Sequence, residues 1–138
     1  MNLSRLKQQL EQHEGRRNKP YQDSVGILTI GIGHNLTEGL SNKAIDFIFN
    51  EDVEVAISAC NHLFPNFSQI PDLKQEVLVN MAFNLGLNRL SKFKRMIECV
   101  KRQDWQGAAA EMLDSKWARQ VGDRAMELSM QMRGDHDI

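Results

Sequence analysis

The chain has 138 residues, of which 41% are hydrophobic and 25% are charged. This length provides one domain with its own core, and the composition excludes a disordered or fibrous protein. No stretch approaches the length of a membrane span, and the first residues lack the apolar core of a secretory signal. We therefore expect a protein made in the cytoplasm without a signal peptide. Cys60 and Cys99 have no partners at metal-ligand spacing and indicate buried thiols, so we expect neither a metal nor a cofactor.

Helical periodicity dominates the chain in sequence order, with one exception. The first amphipathic pattern is followed by Gly15, which is placed to end a helix. Residues 20–30 combine turn residues with β-prone runs and predict a hairpin. Ser41 is a favourable N-cap for a long helix that extends to about Ala59. Further N-caps predict short helices in the second half, at Asp72, Ser91, Asp104, Ser115 and Asp123.

These elements predict an α+β fold that is mostly α. We expect a single domain, residues 1–138, with two lobes and a cleft between them. The small lobe contains the hairpin and covers approximately residues 14–58. The long helix connects it to a helical lobe made of approximately residues 1–13 and 59–138.

Two carboxylates and a hydroxyl are the strongest candidates for chemistry. Glu14 lies in the last turn of the first helix, where the helix dipole disfavours a charged carboxylate. Asp23 lies in the polar turn, where it should stay hydrated and ionised. Two carboxylates in unlike environments can divide general-acid and general-base work, as glycosidic cleavage requires. The alternatives are a Glu beside a frayed helix end and an Asp that only forms a turn.

The strand after the turn has a two-residue alternation. Thr29, Gly31 and Gly33 share one predicted face, and the apolar residues between them share the other. We expect the apolar face to be packed. Glycine weakens a strand unless a ligand or another backbone approaches closely, so the bare face predicts a wall for an extended substrate. Thr29 supplies its only hydroxyl, placed to hold a water.

His34 and Asp52 form a predicted supporting pair. Asp52 lies at the edge of the apolar stripe of the long helix and needs a partner, and His34 at the strand end is the nearest candidate. We expect this pair to be structural. The rival interpretation makes His34 the catalytic base.

A basic segment lies between Leu85 and Arg102. It contains one acid, Glu98, and has a local charge of +5 because of six basic residues: Arg89, Lys92, Lys94, Arg95, Lys101 and Arg102. Such a patch fits an anionic polymer, or it is a solvated helix face. No nucleic-acid motif accompanies it, so we expect no nucleic-acid partner.

Several segments together closely resemble the phage-type lysozymes, the endolysins of glycoside hydrolase family 24, particularly the T-even phage branch. The first is Glu14 with Gly15, followed by Tyr-Gln-Asp ending at Asp23 and by Leu-Thr-Ile-Gly-Ile-Gly-His ending at His34. Further matching segments fall in the family's order across most of the chain: Asn50–Val53, Asn80–Gly86, Ser115–Trp117 and Asp123–Ala125.

The resemblance implies a lysozyme-like fold and hydrolysis of the peptidoglycan bond between N-acetylmuramic acid and N-acetylglucosamine. It makes Glu14 the acid, Asp23 the carboxylate that supports water attack, and Thr29 the hydroxyl that orients the water. It also implies inversion, with carboxyl groups roughly 6.5 to 9.5 Å apart. Substrate contacts implied alongside Gly31 and Gly33 are Phe83, Asn84, Leu85 and Arg124.

The resemblance further implies a monomeric enzyme of phage-type host cell lysis, bacteriolytic and without stable membrane association. Such an enzyme reaches the wall after a holin-type pore has permeabilised the membrane. Two rival functions stay open: a lytic transglycosylase, and a non-catalytic wall-binding protein on a lysozyme scaffold. The chain departs from longer family members after His34, where only six residues precede Ser41.

Overall fold

The computed structural model describes residues 1–134. They form an α+β fold that is mostly helical, as the sequence predicts, with a three-stranded antiparallel sheet of order β1-β2-β3. The elements in chain order are α1 (Leu3–Glu14), β1 (Arg17–Gln22), β2 (Leu28–Gly31), β3 (His34–Asn35), α2 (Asn42–Leu63), α3 (Asp72–Leu90), α4 (Lys94–Lys101), α5 (Trp105–Leu113), α6 (Lys116–Val121) and α7 (Asp123–Arg133). Two single 3₁₀ turns lie at Leu36–Glu38 and Phe67–Gln69.

The chain divides into two compact units, Met1–Phe47 and Ile48–Ile138. The boundary lies within α2, and α1 is grouped with the sheet in the first unit. The predicted lobes place residues 1–13 with the later helices instead, and that arrangement stays a prediction. Within residues 1–134, no helix has both the length and the apolar character needed to cross a bilayer.

The local signals in the first unit give the predicted elements. The side chain of Asn2 caps α1 by accepting from the Arg5 amide at 3.0 Å. Gly15 ends the helix with a φ of 79°, a conformation that glycine adopts without steric cost. β1 and β2 then pair as the predicted hairpin, with Tyr21 opposite Thr29.

The predicted faces of the β2 segment are wrong. Thr29 is buried with 4% of its surface exposed, whereas Leu28 and Ile32 are 43% and 40% exposed. The alternation also ends early, because Gly31 and Gly33 both have a φ of 69°. A left-handed residue turns the chain out of the extended conformation, so a two-residue period does not carry across it.

The second unit is built around a helical core. The apolar stripe of α2 enters this core only in its C-terminal half, where Ala56 and Cys60 are buried, while Ile48 and Phe49 are exposed. The largest fully buried side chains are Phe64, Leu78, Met81, Leu90, Met96, Met112 and Met132. Methionine fills irregular gaps between short helices, which accounts for its frequency here.

Three of the predicted helix caps are confirmed. At the start of α2, Ser41 accepts from the Ala44 amide at 3.1 Å. Asp104 accepts from the Gly107 amide at 2.9 Å, and Ser115 accepts from the Ala118 amide at 3.1 Å. These bonds satisfy amides in the first turns of α2, α5 and α6 that have no partner within their helices.

The other predicted caps of the second half are shifted or wrong. Asp72 and Asp123 are the first residues of α3 and α7 rather than their caps. Ser91 ends α3 instead of opening a helix, and its hydroxyl donates to the Asn88 carbonyl at 2.6 Å. α4 begins three residues later, after Phe93, which provides no side-chain cap.

Candidate active site

Glu14 is the last residue of α1, and its side chain lies against Gly33. A Cβ placed on Gly33 would be 2.8 Å from Oε2 of Glu14 and 2.9 Å from its Cδ. Only glycine leaves room for this approach, and only glycine readily adopts the φ of 69° found there. The structure therefore brings together two of the predicted site residues, and the Glu14 carboxyl remains exposed.

The nearest arginine in sequence does not neutralise Glu14. Arg16 pairs with Glu11, with 3.1 Å between Nη2 and Oε1, and 3.2 Å between Nε and Oε2. The hydrogen bond and the charge of Arg16 lower the pKa of Glu11. Within the first unit, no basic side chain forms an ion pair with Glu14.

Asp23 occupies the turn between β1 and β2 and organises it. Its Oδ1 accepts from the amides of Val25 and Ile27, both at 2.9 Å. Its own amide donates to the Ile27 carbonyl at 2.9 Å, and its carbonyl accepts from Gly26 at 3.0 Å. In the described part of the chain Oδ2 has no hydrogen-bond partner, so one oxygen holds the turn and the other is available to a water or a sugar.

Thr29 is connected to Asp23 through Ile27. The Thr29 hydroxyl donates to the Ile27 carbonyl at 2.8 Å, the same carbonyl that accepts from the Asp23 amide. Its hydrogen is thereby committed, and the oxygen retains lone pairs that can accept from a water. The backbone of Ile27 thus fixes the Asp23 carboxyl and the Thr29 hydroxyl relative to each other.

The two remaining site candidates of the first unit lie at the end of the sheet. A Cβ on Gly31 would meet nothing within 4 Å, so its backbone is open to a ligand. Nε2 of His34 lies 2.8 Å from the Gly39 carbonyl oxygen, across the short connection to α2. Asp52 is exposed on α2 and belongs to the second unit. The His34–Asp52 pair would join the two units, and it stays a prediction.

Arg124 is held in the second unit by Asn80. Its Nη2 and Nε donate to Oδ1 of Asn80 at 2.7 and 3.0 Å, and Nη2 also approaches the Asn80 carbonyl at 3.4 Å. Several bonds to one residue restrict the guanidinium to one orientation. A positioned cation of this kind suits an anionic or polar ligand.

The α3 segment Phe83–Leu85 presents three different environments. Phe83 is 42% exposed and contacts Phe49 edge to face, with 5.8 Å between ring centroids. The Asn84 Oδ1 accepts from the indole N–H of Trp117 at 2.7 Å. Leu85 is only 7% exposed and packs in the core, so of the three it is the least available to a substrate.

Sequence reasoning missed the residues that position others. Trp117 received no role of its own, but it is buried at 3% exposure and its indole N–H donates to Asn84. Asn80 received no role, although it lies in a segment that carried the resemblance. Gly86 breaks α3 with a φ of 79° and a ψ of 167°, immediately after these residues. The small residue in a helical pattern was the only available signal for this break.

Comparison with known proteins identifies the family. The family model described as phage lysozyme matches residues 11–133. The chain therefore belongs to the phage lysozyme family, and it is a glycoside hydrolase, as the sequence predicts.

The individual relatives share about one identical residue in four with this chain. "Probable T4-type lysozyme 2" of Dictyostelium discoideum is 26% identical over 153 aligned positions, which cover 89% of this chain and 90% of that protein. That alignment is longer than the 138 residues of this chain, so the relative carries residues that this chain lacks.

Two phage proteins contain a similar region within much longer chains. The "Pre-baseplate central spike protein Gp5" of Enterobacteria phage T4 is 26% identical over 91% of this chain and 27% of its own length. "Peptidoglycan hydrolase gp36" of Pseudomonas phage phiKMV is 26% identical over 86% of this chain and 14% of its own length.

Proposed function

We propose that this enzyme is a muramidase that hydrolyses the β-1,4 bond between N-acetylmuramic acid and N-acetylglucosamine in peptidoglycan. Family membership supports lysozyme-type hydrolysis, and a relative bears the name peptidoglycan hydrolase. The observation that carries the proposal is the first unit's arrangement of Glu14 against Gly33 and of Asp23 with Thr29 through Ile27.

The proposed roles follow from the atoms of each side chain that remain available to a substrate or a water. Glu14 has an exposed carboxyl that forms no ion pair within the first unit, and it protonates the leaving glycosidic oxygen. Asp23 keeps Oδ2 for the water and for the positive charge that develops on the sugar. Thr29 accepts a hydrogen bond from that water, because its own hydrogen points to the Ile27 carbonyl.

We further propose that the reaction inverts the anomeric centre. An inverting enzyme needs a water between the second carboxylate and the sugar, and a hydroxyl bound to that water limits its orientations. Proton NMR of the first product molecules tests this step. An α-anomer at early times supports inversion, and a β-anomer would assign a retaining path in which Asp23 is the nucleophile.

The second unit is proposed to supply substrate contacts. Arg124 and Asn84 are both fixed by side-chain hydrogen bonds, and Phe83 offers an exposed ring for a sugar face. Leu85 is proposed only as support for this surface. His34 and Asp52 are proposed as a structural pair, and the Gly39 carbonyl already occupies Nε2 of His34.

One digest separates muramidase activity from its rivals. Purified peptidoglycan is treated with the enzyme, and the fragments are identified by mass after borohydride reduction. Reduced muramic acid ends support the proposal, whereas 1,6-anhydro ends would indicate a lytic transglycosylase. Binding without cleavage would indicate a wall-binding protein.

A matched pair of variants tests the acid. Glu14→Gln should lower the rate about 100-fold or more, because proton transfer by a positioned side chain typically contributes that factor. Glu11→Gln makes the same change one turn earlier, and it removes only an exposed ion pair, so it should retain activity. Full activity of Glu14→Gln would remove Glu14 from the mechanism.

The biological setting is proposed from the resemblance. The enzyme acts as a monomer on bacterial peptidoglycan during phage-type cell lysis. It is made in the host cytoplasm and reaches the wall through a holin-type pore. Expression with and without a membrane-permeabilising partner tests the route, because lysis should occur only when the partner is present.

A further inference from the structure

The second unit contains a cavity of about 580 Å³, lined by residues from the end of α3, the start of α4, the end of α5 and α6. We call it the cationic cavity, because its lining includes five basic residues: Arg89, Lys92, Lys94, Arg95 and Lys116. Two carboxylates, Glu111 and Asp114, also line it. Five positive charges against two negative ones give the lining a net charge of +3.

The opposite charges of the lining do not pair with each other. Within residues 1–134, none of the five cations lies within 4.0 Å of a carboxylate oxygen. Positive charges gathered around one space make the local electrostatic potential positive, and this potential favours the entry of an anion. The cavity therefore has a net positive charge that an anionic ligand would neutralise.

The N-terminus of α4 also favours an anion in the cavity. Phe93 occupies the N-cap position of α4, but its side chain cannot accept a hydrogen bond. The amides in the first turn of α4 therefore have no side-chain acceptor at the N-cap. Lys94, Arg95 and Met96 form this first turn and line the cavity. Free amides at a helix N-terminus bind phosphate oxygens, and here basic side chains surround them.

The floor of the cavity is apolar and firmly packed. Trp117 and Met96 are 3% and 1% exposed, and Phe93 contacts Trp117 edge to face at 6.1 Å between ring centroids. An inorganic ion would use only the rim. A phosphate ester would place its phosphate among the cations and its carbon portion against Phe93, the partly exposed ring of this floor.

From these observations we propose that the cationic cavity binds phosphate esters of glycerol or sugar, the kind of group that repeats along anionic polymers of the bacterial envelope. This site holds an envelope polymer and not the glycan strand that is cut. The inference goes beyond the proposed function and does not require cleavage, because none of the five basic residues of the lining has a role in the proposed mechanism.

The binding test uses the full chain and poly(glycerol phosphate) as the probe, measured by calorimetry. The variant Arg89→Gln/Lys92→Gln/Arg95→Gln removes three charges of the lining and should weaken binding about tenfold or more, because losing even one hydrogen bond from a charged group costs roughly a factor of ten. Its matched control, Lys7→Gln/Lys43→Gln/Lys101→Gln, removes the same total charge at exposed residues outside the cavity.

Several outcomes decide the proposal. Equal weakening in the two triple variants would overturn it, because binding would then follow net charge alone. Tighter binding of poly(glutamate) than of the phosphate polymer would also overturn it, since the site would then select carboxylates. Binding of phosphatidylglycerol vesicles without the soluble polymer would support the site and assign a lipid headgroup as the source of the phosphate.

Two further measurements locate the site and separate it from catalysis. In a nitrogen–proton NMR spectrum, glycerol 3-phosphate should shift the indole signal of Trp117 and leave that of Trp105, which does not line the cavity. A shift of neither signal would contradict the location. The cavity variant should cleave soluble peptidoglycan fragments at the wild-type rate, so loss of phosphate binding and loss of muramidase activity can be told apart.

Discussion

The side chain of Glu14 occupies the space that a Cβ on Gly33 would need, at the end of the first helix and just beyond the second strand. A Cβ on Gly33 would come within 2.8 Å of Oε2. Gly33 therefore decides where the proposed acid points. A residue chosen from sequence as part of a bare substrate wall also limits the position of the proposed acid.

We expect Gly33→Ala to lower activity by displacing Glu14. The control is Gly39→Ala, whose φ of 78° imposes similar backbone strain, but whose new Cβ would meet nothing within 4 Å. Both variants should lose about 1 kcal/mol or more of stability, because a left-handed conformation is costly for alanine. Only Gly33→Ala should lose activity in a peptidoglycan assay. Equal activities in the two variants would show that the contact does not position the acid.

The Asp23 side chain carries two separable properties. Asp23→Asn keeps an oxygen that can accept from the amides of Val25 and Ile27, but it loses the charge. It should fold with nearly unchanged thermal stability and lose most of its activity. Asp23→Ala should also lose about 1 kcal/mol of stability, because two turn amides lose their acceptor. Thermal unfolding and turnover of each variant measure the two effects, and an active Asp23→Asn would refute a role for the charge.

The Thr29 hydroxyl should matter more than its methyl group. Thr29→Ser retains the bond to the Ile27 carbonyl and the oxygen that faces the proposed water. Thr29→Val has nearly the same shape and lacks both. We expect the serine variant to keep most of the activity, and the valine variant to lose most of it while remaining folded. Comparable activity in the two variants would make Thr29 a packing residue.

Asn80 is expected to act through Arg124. Asn80→Ala removes the acceptor for Nε and Nη2 and should weaken substrate binding, which appears as a rise in KM. Arg124→Lys should have a similar effect, because an ammonium cannot make the same set of bonds. The double variant should be little worse than either single variant. Fully additive losses would show that the two residues act separately.

Cys60 provides a stability measurement that is independent of catalysis. Burial raises the pKa of its thiol from 9.0 to about 12. The unfolded chain therefore loses this proton at a lower pH than the folded protein, and stability falls as the pH rises between those values. Denaturant unfolding at several alkaline pH values should show a shallower fall for Cys60→Ala than for the wild type. An equal slope would exclude this thiol as a source of the decline.

Local sequence signals predicted the elements better than their environments. Gly15, the hairpin turn and the caps at Asp104 and Ser115 depend on neighbouring residues, and these predictions are confirmed. The faces of the β2 segment were wrong, because Gly31 and Gly33 adopt a positive φ that no periodic rule registers. Ser91 was misassigned because a serine suits either end of a helix in sequence terms.

Partners far apart in the chain were the least predictable part of the site. Trp117 and Asn84 are 33 residues apart, and Arg124 and Asn80 are 44 apart. Their pairing depends on how the short helices pack, which residue spacing does not encode. The three proposed catalytic residues were found because each has a local anomaly or a motif. Asn80 and Trp117 also lie in segments that carried the resemblance, but nothing local in those segments identifies their partners.

The backbone of Ile27 connects two of the proposed catalytic residues. The Asp23 carboxylate accepts from the Ile27 amide, and the Thr29 hydroxyl donates to the Ile27 carbonyl. The length of the loop between Asp23 and Thr29 therefore sets the spacing of the carboxyl and the hydroxyl. An inserted or deleted residue between positions 23 and 27 would alter that spacing even with both functional side chains intact. A change in the length of this loop would therefore require a compensating change in the proposed reaction centre.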